Sequence, residues 1–193
     1  YNIVGNPCLT SAGYSKWAGK YDDMGNRIEV SCYGVDGQPC LHKDGFAKWT
    51  SKYDDRGNCI EQVYYGVDGN LCLIGVGYAK ITLKYDDRGN RIEEVYYDVD
   101  SKPCLHKEGY SKWTGKYDDR GNCIEQSYYG VDGNPCLSGK GFAKRTAKYD
   151  DRGNCIETSF YGVDGKLCLY EDSYAKWTGK YDDRGNCIEQ SYY

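Results

Sequence analysis

Two aspartates stand side by side at Asp54 and Asp55. Adjacent carboxylates can divide the work of a general acid and a general base when their surroundings push their pKa values apart. The pair returns at Asp22-Asp23, Asp86-Asp87, Asp118-Asp119, Asp150-Asp151 and Asp182-Asp183, always 32 residues from the next. Six copies argue for geometry, because an active site breaks a repeat instead of being copied through it. The two histidines, His42 and His106, share one column of this period with Thr10, Ile74, Ser138 and Tyr170. A catalytic His needs a fixed partner, and so permissive a column offers none; both are read as surface residues. The acidic stretch from Asp98 to Asp100 is too short for a calcium loop and lacks the downstream Glu. No phosphate-cradling Gly loop and no nucleophile elbow occurs. No catalytic, cofactor-binding or metal-ligating residue is expected, no cofactor, and no enzyme.

Cysteine is the other reactive type, with 11 in the chain. One column is complete: Cys8, Cys40, Cys72, Cys104, Cys136 and Cys168. A second holds Cys59, Cys123, Cys155 and Cys187, with Arg27 and Arg91 in its remaining places, and Cys32 stands where other repeats have Tyr or Phe. With two strands per repeat, same-column residues lie about 9–10 Å apart, beyond the roughly 7 Å that a disulfide spans between Cα atoms. Bridges must then join the columns. Pairing within repeats uses the most thiols: Cys40–Cys59, Cys104–Cys123, Cys136–Cys155 and Cys168–Cys187. Pairing to the following repeat, or a set of buried reduced thiols, is the alternative, and free Cys8, Cys32 or Cys72 could link chains. Metal binding is disfavoured, since C-x-x-C is absent and only 2 His exist.

Trp17, Trp49, Trp113 and Trp177 share a column with Ile81 and Arg145. Exposed at regular spacing, these rings could stack on sugars; the favoured reading is that they cover the neighbouring strand. Arg145 in the column marks it as partly wet, because an unpaired buried charge is very costly.

The elements that would position these groups follow from the period. Six units, 1–32, 33–64, 65–96, 97–128, 129–160 and 161–192, run without insertion, and Tyr193 begins a seventh. The consensus is Y-G-V-D-G-x-P-C-L-x-x-x-G-Y-A-K-W-T-x-K-Y-D-D-R-G-N-C-I-E-x-x-Y. Such regularity is what stacking of like on like demands. Gly recurs in every unit and the apolar letters do not follow a 3.6-residue period, which argues against helix. Two strands per unit are predicted, Phe46 to Asp54 and Cys59 to Tyr65 in the second unit, rich in aromatic and β-branched residues. The D-D-R-G-N between them is a hairpin tip, with Asp holding the turn and Gly supplying positive φ. If Arg56-Gly57 form a two-residue loop, Lys52 faces Glu61, Tyr53 faces Ile60 and Trp49 faces Tyr64. The rival is a three-residue loop with a Gly bulge, which moves the pairing by one residue and sets Tyr53 against Cys59. The first is preferred because it sorts charge with charge. The rest of each unit holds turns at Asp36-Gly37 and Asp44-Gly45 and a short strand near Cys40-Leu41.

Composition agrees with a thin core: 22 Tyr and 25 Gly, but 1 Met, and a mean hydropathy of -0.80. The net charge of -4 provides no basic surplus for phosphates, so no nucleic-acid partner is expected. No apolar run is long enough to span a membrane. The chain begins mid-pattern at Tyr1, so 1–193 is read as a single repeat array excerpted from a longer one.

The turn block, Tyr53, Asp54, Gly57, Asn58 and Ile60, followed by Y-x-x-D-G, resembles the YD-repeat (Rhs-type) class of bacterial surface and toxin-shell proteins. It is also similar to long bacterial tracts of the form G-Y-A-x-x-x-x-x-Y-D-x-x-G-N. The resemblance covers the whole chain and implies a spiralling or ribbon-like antiparallel sheet with a structural role. The expectation is therefore all-β: an antiparallel β-hairpin solenoid or spiralling sheet. Its expected place is an extracellular or cell-surface fibre or shell wall, self-associating end to end or side by side. The alternative is an adhesive module binding a polysaccharide or a protein through its aromatic columns.

Overall fold

The computed structural model describes residues 7–193; the first six positions of the opening repeat, 1–32, lie outside the described residues. Each repeat contributes one hairpin. The strands are β1 (Lys16–Tyr21), β2 (Arg27–Tyr33), β3 (Lys48–Tyr53), β4 (Cys59–Tyr65), β5 (Lys80–Tyr85), β6 (Arg91–Tyr97), β7 (Lys112–Tyr117), β8 (Cys123–Tyr129), β9 (Lys144–Tyr149), β10 (Cys155–Tyr161), β11 (Lys176–Tyr181) and β12 (Cys187–Tyr192). They follow chain order in one antiparallel, unclosed sheet. No helix among the described residues is long and apolar enough to cross a membrane. The chain divides into two compact units, Tyr1–Leu83 with Val95–His106, and Lys84–Glu94 with Lys107–Tyr193.

Hairpin register combines the two readings of the sequence. Lys52 pairs with Glu61 and Trp49 with Tyr64, as charge and apolar matching require. Tyr53, however, pairs with Cys59 and not with Ile60, and the shift is absorbed by a bulge beside Lys52 and Tyr53. The same irregularity follows Lys20, Lys116 and Lys180. Its cause lies in the tip. Gly57 takes φ 82° and donates its N–H to the Asp54 carbonyl, while the Asp54 N–H reaches the Asn58 carbonyl, both at 3.0 Å. The Asp54 carboxylate accepts from the N–H groups of Arg56 and Asn58 and from the Asn58 amide. This five-residue closure needs one residue more than a two-residue loop, and Ile60 is that residue.

The first strand is shorter than expected, because Phe46 and Ala47 belong to the corner. There Gly34 N–H bonds the Gln38 carbonyl, and Tyr33 and Pro39 form an isolated bridge. Corners also bond from repeat to repeat: Lys43 N–H to the Ala12 carbonyl and Gly75 N–H to the Asp44 carbonyl in the first unit, and Gly139 N–H to the Glu108 carbonyl in the second.

Successive side chains alternate between the sheet faces, and the two faces differ in kind. One is aromatic. In the first unit Cys32, Phe46, Tyr64 and Ile74 are buried together, with Tyr14, Cys40, Trp49 and Tyr78 packed against them. Ring centroids step from Phe46 to Tyr64 at 5.4 Å, Tyr64 to Tyr78 at 5.9 Å and Tyr78 to Tyr96 at 4.9 Å. In the second unit the steps run from Tyr110 to Tyr128, Phe142, Phe160 and Tyr174, at 4.8–5.9 Å. The opposite face is ionic. Lys52 Nζ lies 2.7 Å from Glu61 in the first unit. In the second, Glu93, Glu125 and Glu157 each sit between two lysines, one from their own hairpin and one from the next repeat.

The histidines are a correction. His42 is largely buried, its ring stacked 4.7 Å from Phe46 and 5.9 Å from Tyr14; His106 stacks 4.9 Å from Tyr96. Their column faces the aromatic ladder, where any side chain that fills space will serve, so its variability reflects packing and not exposure.

Candidate functional site

The carboxylate pairs divide into two structural tasks. The first Asp closes its own turn, and the hydrogen bond from the neighbouring Asn side chain holds the carboxyl below its usual range at Asp22, Asp54, Asp86, Asp118, Asp150 and Asp182. The second Asp receives an arginine from the preceding repeat wherever that repeat carries one; Met24 stands in that place before Asp55. In the second unit Arg88 reaches Asp119 at 3.1 Å, Arg120 reaches Asp151 at 3.6 Å and Arg152 reaches Asp183 at 3.2 Å.

All eleven cysteines are free thiols. The four within-repeat pairs, Cys40–Cys59, Cys104–Cys123, Cys136–Cys155 and Cys168–Cys187, are not bonded, and the columns find different partners. Cys40, Cys72, Cys104, Cys136 and Cys168 point their Sγ at the carbonyls of Gly13, Gly45, Gly77, Gly109 and Gly141 in the preceding corner, at 3.6–3.7 Å. Cys59, Cys123, Cys155 and Cys187 turn to the carbonyl of the Glu two residues along their own strand, at 3.5–3.6 Å. Burial pushes the thiols of Cys72, Cys104 and Cys136 above the ordinary range. No group of three His, Cys, Asp or Glu able to hold a metal ion occurs among the described residues.

The tryptophan column does not form a uniform exposed ridge. Trp17 is 44% exposed, Trp49 and Trp177 are half-buried, and Trp113 is only 6% exposed. The rings of Trp17, Trp113 and Trp177 lie along their own strands over Gly19, Gly115 and Gly179. A Cβ at Gly115 would meet the Trp113 ring at 2.6 Å. Guanidinium groups cap two of them, Arg27 at 4.9 Å from Trp17 and Arg91 at 5.4 Å from Trp113.

Where Arg145 takes the Trp place, no indole lies along the strand, and the position two residues on is the buried Ala147. A groove of about 580 Å³ opens there in the second unit. Tyr128, Phe142, Phe160, Tyr174 and Trp177 form its walls, and Arg145, Lys140, Glu108, Gln126 and Thr158 supply its polar groups. Ser138, the smallest occupant of the His42 column beside Thr10, widens it, with its hydroxyl bonded to the Phe142 carbonyl at 3.1 Å. Arg145 makes a long contact of 3.5 Å to the Thr158 hydroxyl and has no carboxylate within ion-pair distance among the described residues. Lys140 lies 5.8 Å over the Tyr170 ring and likewise lacks a carboxylate partner. Burial, with Tyr110 and Glu108 nearby, pushes the Tyr128 hydroxyl up to about 12, against the pull of Arg145. A second hollow, about 480 Å³, lies beside Glu125 and Lys144; those two neutralise each other at 2.6 Å. The Arg145 groove is therefore the candidate site. Sequence reading marked Arg145 but missed Lys140, Gln126 and Thr158; the available signal was two columns losing bulk in one repeat, at Ser138 and Arg145.

No protein-family model matches the chain, and no curated protein matches it. Among solved structures it is similar to a chain of the Photorhabdus luminescens Tc holotoxin pore with mutated TccC3, at 11% identity over 96% of this chain and 11% of that one, with a TM-score of 0.38. A TcdB2-TccC3-TEV crystal structure matches at 15% identity over 91% of this chain and 9% of the other, TM-score 0.40. TcdB2-TccC3 without its hypervariable C-terminal region matches at 14% over 92% and 11%, TM-score 0.28. This chain spans about a tenth of the length of each.

Proposed function

We propose that this chain is a non-enzymatic structural segment of a longer repeat protein, placed outside the cell or at its surface as part of a fibre or shell wall. One observation carries the reading: the side chains able to do acid–base chemistry are spent on closing the turns and on joining neighbouring repeats. Asp54 and its equivalents close turns, Asp119, Asp151 and Asp183 receive Arg from the previous repeat, and Glu93, Glu125 and Glu157 of the ionic face join hairpins. Open sheet edges would support self-association end to end or side by side. Electron microscopy of the native material tests this. Rods, shells or filaments with a regular axial repeat are expected; an isolated compact particle without translational order would overturn it. Surface proteolysis of intact cells tests the location, with cleavage expected.

A second reading, an adhesive module for a polysaccharide, is favoured by the Arg145 groove, where aromatic rings and unpaired cations share one opening. Loss of glycan binding with an intact fold on changing groove residues would support it; no glycan binding by the folded chain would remove it.

A further inference from the structure

We propose that the groove around Arg145 binds the carboxylate-bearing ring of an acidic sugar, a hexuronate unit of a polysaccharide. The inference rests on the adhesive reading and names its ligand. Charge complementarity selects an anion: Arg145 and Lys140 both line the groove without a carboxylate partner. A guanidinium presents two parallel donors that match a carboxylate. The rest of the groove suits a pyranose ring. Trp177 and Tyr174 offer apolar faces, and Gln126 offers a directional polar group for a hydroxyl. The volume of about 580 Å³ lies within the range of small-ligand sites.

The test titrates the full chain with a hexuronic acid oligomer, its neutral hexose counterpart and an acidic Asp/Glu peptide, read by calorimetry. Binding of the uronate alone is expected, weakening as salt rises. Arg145→Met should reduce that affinity about tenfold, the scale of one charge-assisted hydrogen bond, and Arg145→Lys less. Arg145→Trp with Ala147→Gly, which rebuilds the column found in other repeats, should abolish it while keeping the fold by circular dichroism. Equal binding of the neutral sugar, equal binding of the peptide, or an unchanged affinity in Arg145→Met overturns the proposal. If glycans bind but Arg145→Met has no effect, the adhesive reading survives and this site does not; if no glycan binds, both fall.

A different observation supports a second inference. The structure assigns Cys32 and Cys40 as a dithiol able to close into a disulfide. Tyr33 and Pro39 form a bridge, so Cys32 and Cys40 stand directly opposite, and the Cys40 N–H bonds the Cys32 carbonyl at 3.1 Å. Facing residues of this kind have Cα atoms about 5.5 Å apart, inside the disulfide range of about 4.4–6.8 Å. Cys40 packs against the buried cluster that contains Cys32. The equivalents of Cys32 are Tyr64, Tyr96, Tyr128, Phe160 and Tyr192, so only this repeat brings two thiols together here. With a small-molecule disulfide as oxidant, the thiolate of the more accessible Cys40 attacks one sulfur and releases a thiol. Deprotonated Cys32 then attacks the Cys40 sulfur and releases the second; two protein thiols are oxidised and one disulfide is reduced to two thiols.

Tryptic peptides of the folded chain after oxidised glutathione and alkylation test this. The peptide from Ile28 to Lys43 should appear unalkylated and two hydrogens lighter than the dithiol. In Cys32→Tyr, Cys40 should be alkylated or carry glutathione. Two alkylated thiols after oxidation, a stable glutathione adduct on Cys40 with Cys32 free, or a Cys40–Cys59 bridge would overturn it.

Discussion

The two faces of the sheet obey different rules of substitution. On the aromatic face, Cys32, Tyr64, Tyr96, Tyr128, Phe160 and Tyr192 alternate in one column, and His42, Ile74, His106, Ser138 and Tyr170 in another. On the ionic face, the columns of Lys52, Glu61 and Lys48 never change across six repeats, nor does the Tyr65 column. Burial and stacking are nearly non-directional, so a ladder of rings accepts whatever fills the space. An ion pair shared by two hairpins fixes atom positions: Glu125 lies 2.8 Å from Lys116 and 2.6 Å from Lys144, and a shorter or uncharged side chain could not meet both. Lys48, 4.6 Å above the Tyr65 ring, is held to place in the same way. Tolerance along a column therefore measures how directional its contacts are, and not how little it contributes.

This contrast can be broken or sharpened by experiment. The largest effect should come from the permissive face. Phe142→Ala empties a buried position and should cost about 3–5 kcal/mol in urea unfolding, whereas Phe142→Tyr should cost far less. A loss below about 1 kcal/mol for the Ala variant would show that the ring ladder is not the core.

Acid should act next, on tips and ionic face at once. Burial alone would raise the carboxyls of Glu93 and Glu125, but the paired lysines more than offset it and hold them low; for Glu157 the bond from Lys176 is the largest influence. A carboxyl lowered in the folded state contributes stability that is complete above its unfolded value, about 4, and disappears as pH falls through the folded value. Thermal melts between pH 7 and pH 2 should therefore be flat at first and drop below about pH 4. A Tm rising toward acid pH would contradict the assignment.

Glu125→Gln removes the shared anion from between Lys116 and Lys144. Partly exposed pairs contribute little, so a cost of about 1 kcal/mol is expected, shrinking in high salt. Smallest is a gain. Ser101 occupies the column of Gly37, Gly69, Gly133 and Gly165 with φ 60°, a conformation disfavoured for side chains other than Gly. Ser101→Gly should stabilise by up to about 1 kcal/mol, measured by the same urea titration.

The sequence made the hairpins, their order along the chain and the Lys52–Glu61 and Trp49–Tyr64 pairs readable, because these depend on alternation and on turn residues that act locally. The bulge at Ile60 was not readable. The charge pair pointed to the two-residue loop, and only the bonds of Asp54 to Asn58 inside the tip show how a bulge keeps Lys52 against Glu61 while setting Tyr53 against Cys59. The His42 column was misread for a related reason: a variable polar position looks like surface unless the rings on either side are known. The link between Trp17, Trp113 and Trp177 and the Gly two residues later was visible as spelling, but its meaning needed the ring to be seen lying on the strand. The Arg145 groove was half legible, since one column flagged the Arg while the hollow required Ser138 on a neighbouring segment.

One feature of the tips bears on how such a chain can change over generations. Arg152 of one repeat holds Asp183 of the next, and every partner of this kind is supplied one period away. Loss or duplication of a whole period in the gene would keep every remaining column in register with the next. Length is thus free to drift in steps of 32 residues, while any other step would misalign every contact downstream.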